Sequence, residues 1–425
     1  MRKNNKILML INEFPPTGES GVQRALKFLK YLDRANYETF VITPQEPVKE
    51  VLDHSLVAEI PTSSKVFKTK SWGIKAKNLS KIENLRYTST RKKKSLKWRV
   101  IKSVNDLFFP LDKQIGWVPF AYFKAVKVVK REGIRNVYIT GYPFSAFLIG
   151  VLLKLRFKHK IFFLADYRDS WGFEPLLEKK VNRLRMSIMR WCDKIVLHKA
   201  DYIISVTTPI LAEYIDHFPF VAGKSALITN GYDEDDFLQL KPKLFTKKTI
   251  VYMGKFYDFK RNPFAFFKAL DRYIKETKEE IEFIHIGTAF QELFDFVEHN
   301  NYTFYKYLGY KSHQEALEYS LGADYLLLCI NDDPSSKYVY SGKLFEYIRL
   351  GKPIIGLIPL DGIVSDLIKE YSLGIIAPIN DETEIYNSLL RLNEHKNKQI
   401  PQEVIYNFSR EKLTKDLIEI YEKNI

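Results

Sequence analysis

Cysteine is nearly absent from this 425-residue chain: Cys192 and Cys329 are the whole complement, and they stand far apart in helical and strand-like surroundings. Two such residues cannot form a disulfide framework or a cysteine-rich zinc site, so a reducing compartment is expected. No apolar run approaches the ~20 residues a helix needs to cross a bilayer, and Met1–Lys6 leads straight into a short apolar run, Ile7–Ile11. A cytoplasmic chain with no membrane span and no export segment is the expectation. Glycine and proline are modest at 19 and 18 residues, while apolar residues reach 46% and aromatics 14%. That balance excludes a disordered or low-complexity chain and leaves one able to bury large cores. Its length allows two or three domains of roughly 100–200 residues.

Acidic residues are missing from one place in particular. From Lys65 to Lys102 there are 14 Lys or Arg and one acid, Glu83, so most of the net charge of +15 lies there. Trp72, Leu79, Ile82, Leu85, Leu96, Trp98, Val100 and Ile101 are interleaved with those cations. Apolar and basic residues mixed in this way suit an anionic membrane surface, where each cation adds ~1 kcal/mol. The expectation is a basic insertion near 62–105 whose residues 65–102 attach the protein peripherally to the inner face of the cell membrane. A solvated loop is the plainer alternative. Nucleic acid would also be drawn to such a patch, but that reading leaves the loops described below without a purpose, so no nucleic-acid partner is expected.

Elsewhere, apolar runs alternate with helical patterns, which argues for an α/β protein of doubly wound type. Ile7–Ile11, a Pro/Gly loop, a helix carrying Val22, Leu26, Leu29 and Leu32, and Thr39–Ile42 make one βαβ unit. Val137–Thr140, Ile161–Ala165, Tyr202–Val206 and Ala226–Thr229 complete a first sheet. Ile250–Met253, Phe283–Ile286, Thr303–Lys306, Tyr325–Cys329 and Ile354–Ile358 form a second. The expected division is a domain over 1–240, a polar linker at 241–248, a second domain over 249–400, and a final helix over 401–425 that returns to the first domain.

Open α/β sheets bind ligands at the carboxyl ends of their strands, so chemistry is sought in the loops there. Ser341-Gly342-Lys343-Leu344-Phe345-Glu346-Tyr347 reads as a helix start: Ser341 caps, and the free amides of Gly342, Lys343 and Leu344 favour a phosphate oxygen. Glu346 falls on the same face as Gly342 and can accept ribose hydroxyls; simple capping by Ser341, with Glu346 answering the helix dipole, explains the same residues. Gly254–Pro263 sets Lys255, Lys260 and Arg261 after a strand, as cations able to stabilise a departing diphosphate. Asn12–Arg24 holds Gly18 and Gly21 in a tight loop with Glu13 and Arg24 at its ends, a weak signal by itself. Asp166, Arg168 and Asp169 end another strand and suit either an acceptor hydroxyl or a local salt bridge. Thr140–Ser145, with Tyr142, and Thr229–Asp233 read as supports.

In this order the segments resemble glycosyltransferase family 4 and its GT-B relatives that build bacterial capsules and lipopolysaccharides. Phe109–Asp112 through Gly116-Trp117 and Gly351-Lys352-Pro353 extend the resemblance over nearly the whole chain. It implies two Rossmann-like domains facing across a cleft. It also implies a retaining, hexosyltransferase-like enzyme without metal or cofactor, taking a nucleotide sugar as donor and a saccharide or lipid-linked acceptor. By resemblance Lys255, Lys260 and Arg261 contact the diphosphate, the Gly18–Gly21 loop lies beside the donor phosphates and the acceptor, and Glu346 holds the ribose. Residues around Gly254 and Ser341–Leu344 complete the donor site, Asp169 joins the catalytic set, and Glu13, Arg24, Tyr142, Asp166 and Arg168 form the acceptor side. The family's first glutamate of E-x7-E is replaced by Tyr338, with Asp332 and Asp333 nearby, and the histidine many relatives carry after Pro-Phe-Ser is absent from Ser145-Ala146-Phe147. Two other readings share this shell: a nucleotide-sugar epimerase, and a GT-B partner protein without activity.

Overall fold

The computed structural model describes residues 5–18, 20–46, 52–72, 111–173, 183–257, 261–395 and 399–424. The chain forms two units, Met1–Thr229 with Leu413–Ile425, and Asn230–Lys412. The division falls at 229/230, so the segment 241–248 expected as the linker lies inside the second unit.

The first unit holds seven strands: β1 (Lys6–Leu10), β2 (Glu38–Pro44), β3 (Lys65–Thr69), β4 (Asn136–Gly141), β5 (Phe162–Tyr167), β6 (Tyr202–Ser205) and β7 (Ser225–Leu227). They run parallel in the order β3-β2-β1-β4-β5-β6-β7. Strands buried on both faces are apolar throughout rather than alternating, and β1 shows why. Ile7 and Met9 pack with Phe28, Tyr138, Leu417 and Tyr421 on one side, while Leu8 and Leu10 pack with Ala121, Ala125 and Val128 on the other.

The second unit repeats the plan with β8 (Lys248–Lys255), β9 (Ile281–Thr288), β10 (Tyr305–Gly309), β11 (Tyr325–Cys329), β12 (Ile354–Leu357) and β13 (Gly374–Ala377), ordered β10-β9-β8-β11-β12-β13. Ile250 and Tyr252 again face one core, Val251 and Met253 the other. In both units the order reverses next to the first strand, between β1 and β4 and between β8 and β11. A Rossmann-like sheet opens its ligand crevice at the carboxyl ends of such strands.

Three expectations are corrected. Residues 65–69, read as the start of a membrane-binding insertion, are edge strand β3, with Val66 opposite Val41. Lys-Val-Phe-Lys-Thr is half polar because an edge strand is only partly covered; Trp72 beyond it is 70% exposed, and the rest of the basic stretch lies outside the described residues. The four-residue strand β13 was not anticipated. The last helical segment is two helices, Gln402–Asn407 and Arg410–Asn424. Between them, Tyr232 donates its amide to the Phe408 carbonyl (3.0 Å) and accepts from the Arg410 amide (2.8 Å). These bonds to a distant segment, not a glycine or proline, mark the break.

Candidate active site

In the second unit, the loop leaving β8 and the loop leaving β11 meet at the reversal point. Arg261 Nε donates to Asn331 Oδ1 at 3.0 Å, tying one loop to the other. Tyr252 OH donates to the Lys255 carbonyl at 3.1 Å, and the Lys255 ammonium lies 4.8 Å from the Tyr257 ring, with Arg261 5.5 Å from that ring. A third cation arrives from the helix Gly342–Leu350. A side chain at Gly254 would run into the Lys343 ammonium and, at 2.7 Å, the Tyr252 hydroxyl, so glycine is what lets Lys343 lie against the strand end. Burial first, then repulsion from Arg261, pushes Lys343 down to about 8, with Cys329 and Glu346 pulling the other way. None of Lys255, Arg261 and Lys343 is ion-paired to a carboxylate among the described residues. Converging cations with no ion-paired carboxylate favour a bound anion. Lys260 lies outside the described residues.

A histidine with no strand-end position in the sequence fixes this strand end. His285, in the middle of β9 and fully buried, donates from Nε2 to the Gly254 carbonyl at 3.0 Å, and its Nδ1 accepts from the Tyr305 hydroxyl at 2.9 Å. A carbonyl only accepts, so the tautomer is set by this contact. Burial pushes the imidazole down to about 4, the Gly254 bond opposes that, and Lys343 adds to it. The signal in sequence was a polar ring inside the otherwise apolar run Phe283–Ile286.

The helix at 342–350 departs from expectation at its first turn. Ser341 occupies the cap position, but its side chain makes no cap hydrogen bond. Leu344 is fully buried and its amide is spent on the Ser341 carbonyl at 3.1 Å, so it is a core residue and not a phosphate donor. The amides of Gly342 and Lys343 remain at the helix start, where no intrahelical acceptor exists, and open space surrounds Gly342. Glu346 stands one turn on, its Oε1 3.0 Å from Nε2 of His313. Of the acids near Tyr338, Asp333 is committed to the amides of Ser335 and Ser336, both at 3.2 Å.

In the first unit the structure separates support from surface. Arg24 and Asp166 are 2% and 0% exposed and form a two-pronged pair at 2.9 and 3.0 Å; Arg24 also donates to the Thr229 carbonyl at 2.6 Å, and Tyr138 donates to Asp166. Their expected place on the acceptor side is therefore corrected: every charged atom of the pair is used to hold helix Ser20–Arg34, β5 and the end of the unit together. Arg168 is a clamp as well, donating to the carbonyls of Gly141 (2.7 Å), Tyr142 (2.6 Å) and Gly21, with Glu13 Oε2 at 3.4 Å. A side chain at Gly21 would strike Glu13 and Arg168, and one at Gly18 would meet Asp53 at 2.9 Å, so both glycines answer close packing. Tyr142 OH lies 3.4 Å from Gln114 Oε1, and the buried Asp112 accepts from Ser145 Oγ and its amide, both at 2.7 Å. The Asp169 side chain is exposed at its edge, yet the protein packed around it desolvates the carboxyl; that desolvation, with Glu13, raises its pKa against the pull of Arg168. Asn12, at the end of β1, is 4% exposed with neither amide atom partnered.

Two doubly wound, Rossmann-like parallel units, each reversing its strand order beside its first strand, define the GT-B fold class. The model of Glycosyltransferase Family 4 matches residues 21–236, half of the chain, and the protein belongs to that family; it is a glycosyltransferase. No curated protein sequence matches it. Among solved structures, a glycosyltransferase from Rickettsia africae is similar at a TM-score of 0.60 and 13% identity, covering 99% of this chain and 98% of that one. HepE from Anabaena, in complex with UDP and glucose, is similar at 0.57 and 12% identity, with 98% and 99% covered. The UDP-GlcNAc 2-epimerase from Methanocaldococcus jannaschii is similar at 0.53 and 12% identity, also over 98% and 99%. Likeness at this identity speaks to the fold. The family assignment rests almost entirely on the first unit, and the cation cluster of the second unit stands on its own geometry.

Proposed function

We propose that this glycosyltransferase moves a hexose or related sugar from a nucleotide-sugar donor to a saccharide acceptor carried on a lipid, in cell-surface polysaccharide synthesis of the capsule or lipopolysaccharide kind. The observation that carries the donor side is the convergence of Arg261 and Lys343 at the β8/β11 reversal point, with Lys255 on the same loop and no carboxylate paired to any of them among the described residues. Breaking the bond between the sugar and the diphosphate leaves negative charge on the departing phosphate, and fixed cations are worth most where that charge develops. In this reading the reaction runs with retention and without metal or cofactor. Gly254 and Gly342 leave room for the phosphates, and Glu346 takes the ribose. Glu13, Tyr142 and Asp169 line the acceptor side, where the raised pKa of Asp169 favours a proton-carrying role. Peripheral attachment to an anionic inner membrane face would bring a lipid-linked acceptor to the enzyme; no helix among the described residues is long and apolar enough to cross a membrane.

A thermal-shift screen with UDP, GDP, ADP and their common sugar conjugates tests the donor side. Stabilisation by one nucleotide series is expected, and Arg261→Ala should weaken it roughly 10–100-fold, as loss of a charge-assisted contact does. No shift with any nucleotide, or an unchanged affinity in the variant, would refute the reading. The epimerase alternative is separated by product analysis without acceptor, since only an epimerase returns an isomerised nucleotide sugar.

A further inference from the structure

We infer that His313 is a positioning residue for the ribose: its imidazole holds the Glu346 carboxylate in the orientation that receives the ribose hydroxyls. This rests on the nucleotide-sugar reading above and adds to it a residue from a different helix, 33 positions away in sequence.

A glutamate on a helix surface turns about several bonds, and immobilising such a side chain at the moment of binding costs affinity. Here Glu346 is already held. Its Oε1 lies 3.0 Å from Nε2 of His313, and a carboxylate can only accept, so that nitrogen carries the proton and donates. A carboxylate offers about four lone-pair directions, so one imidazole leaves capacity for two hydroxyls. The side chains of His313 and Glu346 are 53% and 23% exposed. A partly exposed pair of this kind adds little to folding stability, so its consequence lies in orientation.

His313 is itself well placed to hold another group. It is the first residue of the helix His313–Gly322, whose start is closed by a capping box: Ser312 Oγ accepts from the Glu315 amide at 3.2 Å, and the Ser312 amide donates to Glu315 Oε2 at 3.4 Å. That reciprocal pair fixes the backbone from which the imidazole projects. The cations on the phosphate side and the His313–Glu346 pair are joined through one short helix: Lys343 at its first turn faces Gly254, and Glu346 one turn later faces His313. A diphosphate on the first and a ribose on the second would follow the helix in the order in which a nucleotide presents them.

The test uses the full chain and calorimetric titration with whichever of UDP, GDP or ADP binds most tightly, together with its 2′,3′-dideoxy counterpart. His313→Ala is expected to weaken the ribonucleotide about tenfold and the dideoxynucleotide less than about twofold. His313→Gln, which keeps a donor, should recover most of the loss, and His313→Ala should add little on top of Glu346→Gln. Equal weakening of both nucleotides by His313→Ala, or no weakening of either, overturns the inference while leaving nucleotide binding intact. Failure of the unaltered protein to bind any of the three overturns the underlying reading as well.

Discussion

Acidification from about pH 7 to about pH 5 is expected to loosen the second unit, with His285 as the responsible group. In the folded chain this imidazole is buried between the Gly254 carbonyl and the Tyr305 hydroxyl and titrates at about 4, against 6.5 when exposed. Between those two values the unfolded chain binds a proton that the folded chain refuses, so stability rises with pH across the window and is lost as pH falls through it. Each unit of separation is worth about 1.4 kcal/mol, which gives roughly 2 kcal/mol lost by pH 5 and about 3 kcal/mol once pH reaches the folded value. The loss is local to the β8–β9–β10 corner and therefore also loosens Gly254 and the cation loop beside it. Hydrogen exchange across residues 248–255 and 281–288, corrected for the intrinsic effect of pH, reads the opening directly. An imidazole NMR titration reads the proton. His285 titrating near 6.5 in the folded protein, or protection in these strands unchanged between pH 7 and pH 5, would refute the reasoning.

The first unit should respond in the opposite sense. Asp193 is fully buried beneath the hydroxyls of Tyr167 (2.8 Å) and Tyr214 (2.9 Å), and burial pushes it from 3.8 up to about 7. The folded state then holds a proton that the unfolded state releases, so stability falls as pH rises from about 4 to about 7. Asp193→Asn should flatten that fall in a series of urea melts, and an unchanged slope would count against it. Arg24→Met is expected to cost about 3–5 kcal/mol in urea unfolding, because it strands Asp166 as an unpaired buried charge. The double variant Arg24→Met with Asp166→Leu should recover much of that loss, and a double variant as unstable as the single one would show the pair is not the cause.

Much of the scaffold was legible because its cause is local. Ile7–Ile11, Val137–Thr140 and Ile250–Met253 are apolar in an unbroken run, which is what a parallel strand covered on both faces requires, and the helices between them carry their own period. Lys65–Thr69 escaped notice because an edge strand needs no such run, and Gly374–Ala377 because four residues carry little pattern. Phe408-Ser409 carries no breaker residue; the break there is made by Tyr232, which comes from the far end of the second unit's chain.

The candidate site divides along the same line. Glu346, Lys343, Arg261 and Gly254 could be singled out by their places after strands and at a helix start, since those positions follow from local structure. The same grounds single out Arg24, Asp166 and Arg168, yet the fold turns their charges inward. Nothing in the strand-end pattern distinguishes Asp166, sealed against Arg24 142 residues away, from Asp169 three residues later at the surface. His285 and His313 were missed because each is defined by what it meets, a carbonyl 31 residues distant and a carboxylate 33 residues distant. The sequence alone determined the buried strands, most of the helices between them and which loops stand at those strand ends, because burial pattern and backbone propensity act over a few residues. Only the tertiary structure decided which charges are spent on one another and which stay available, because a charge taken out of water must find its partner wherever the chain brings one.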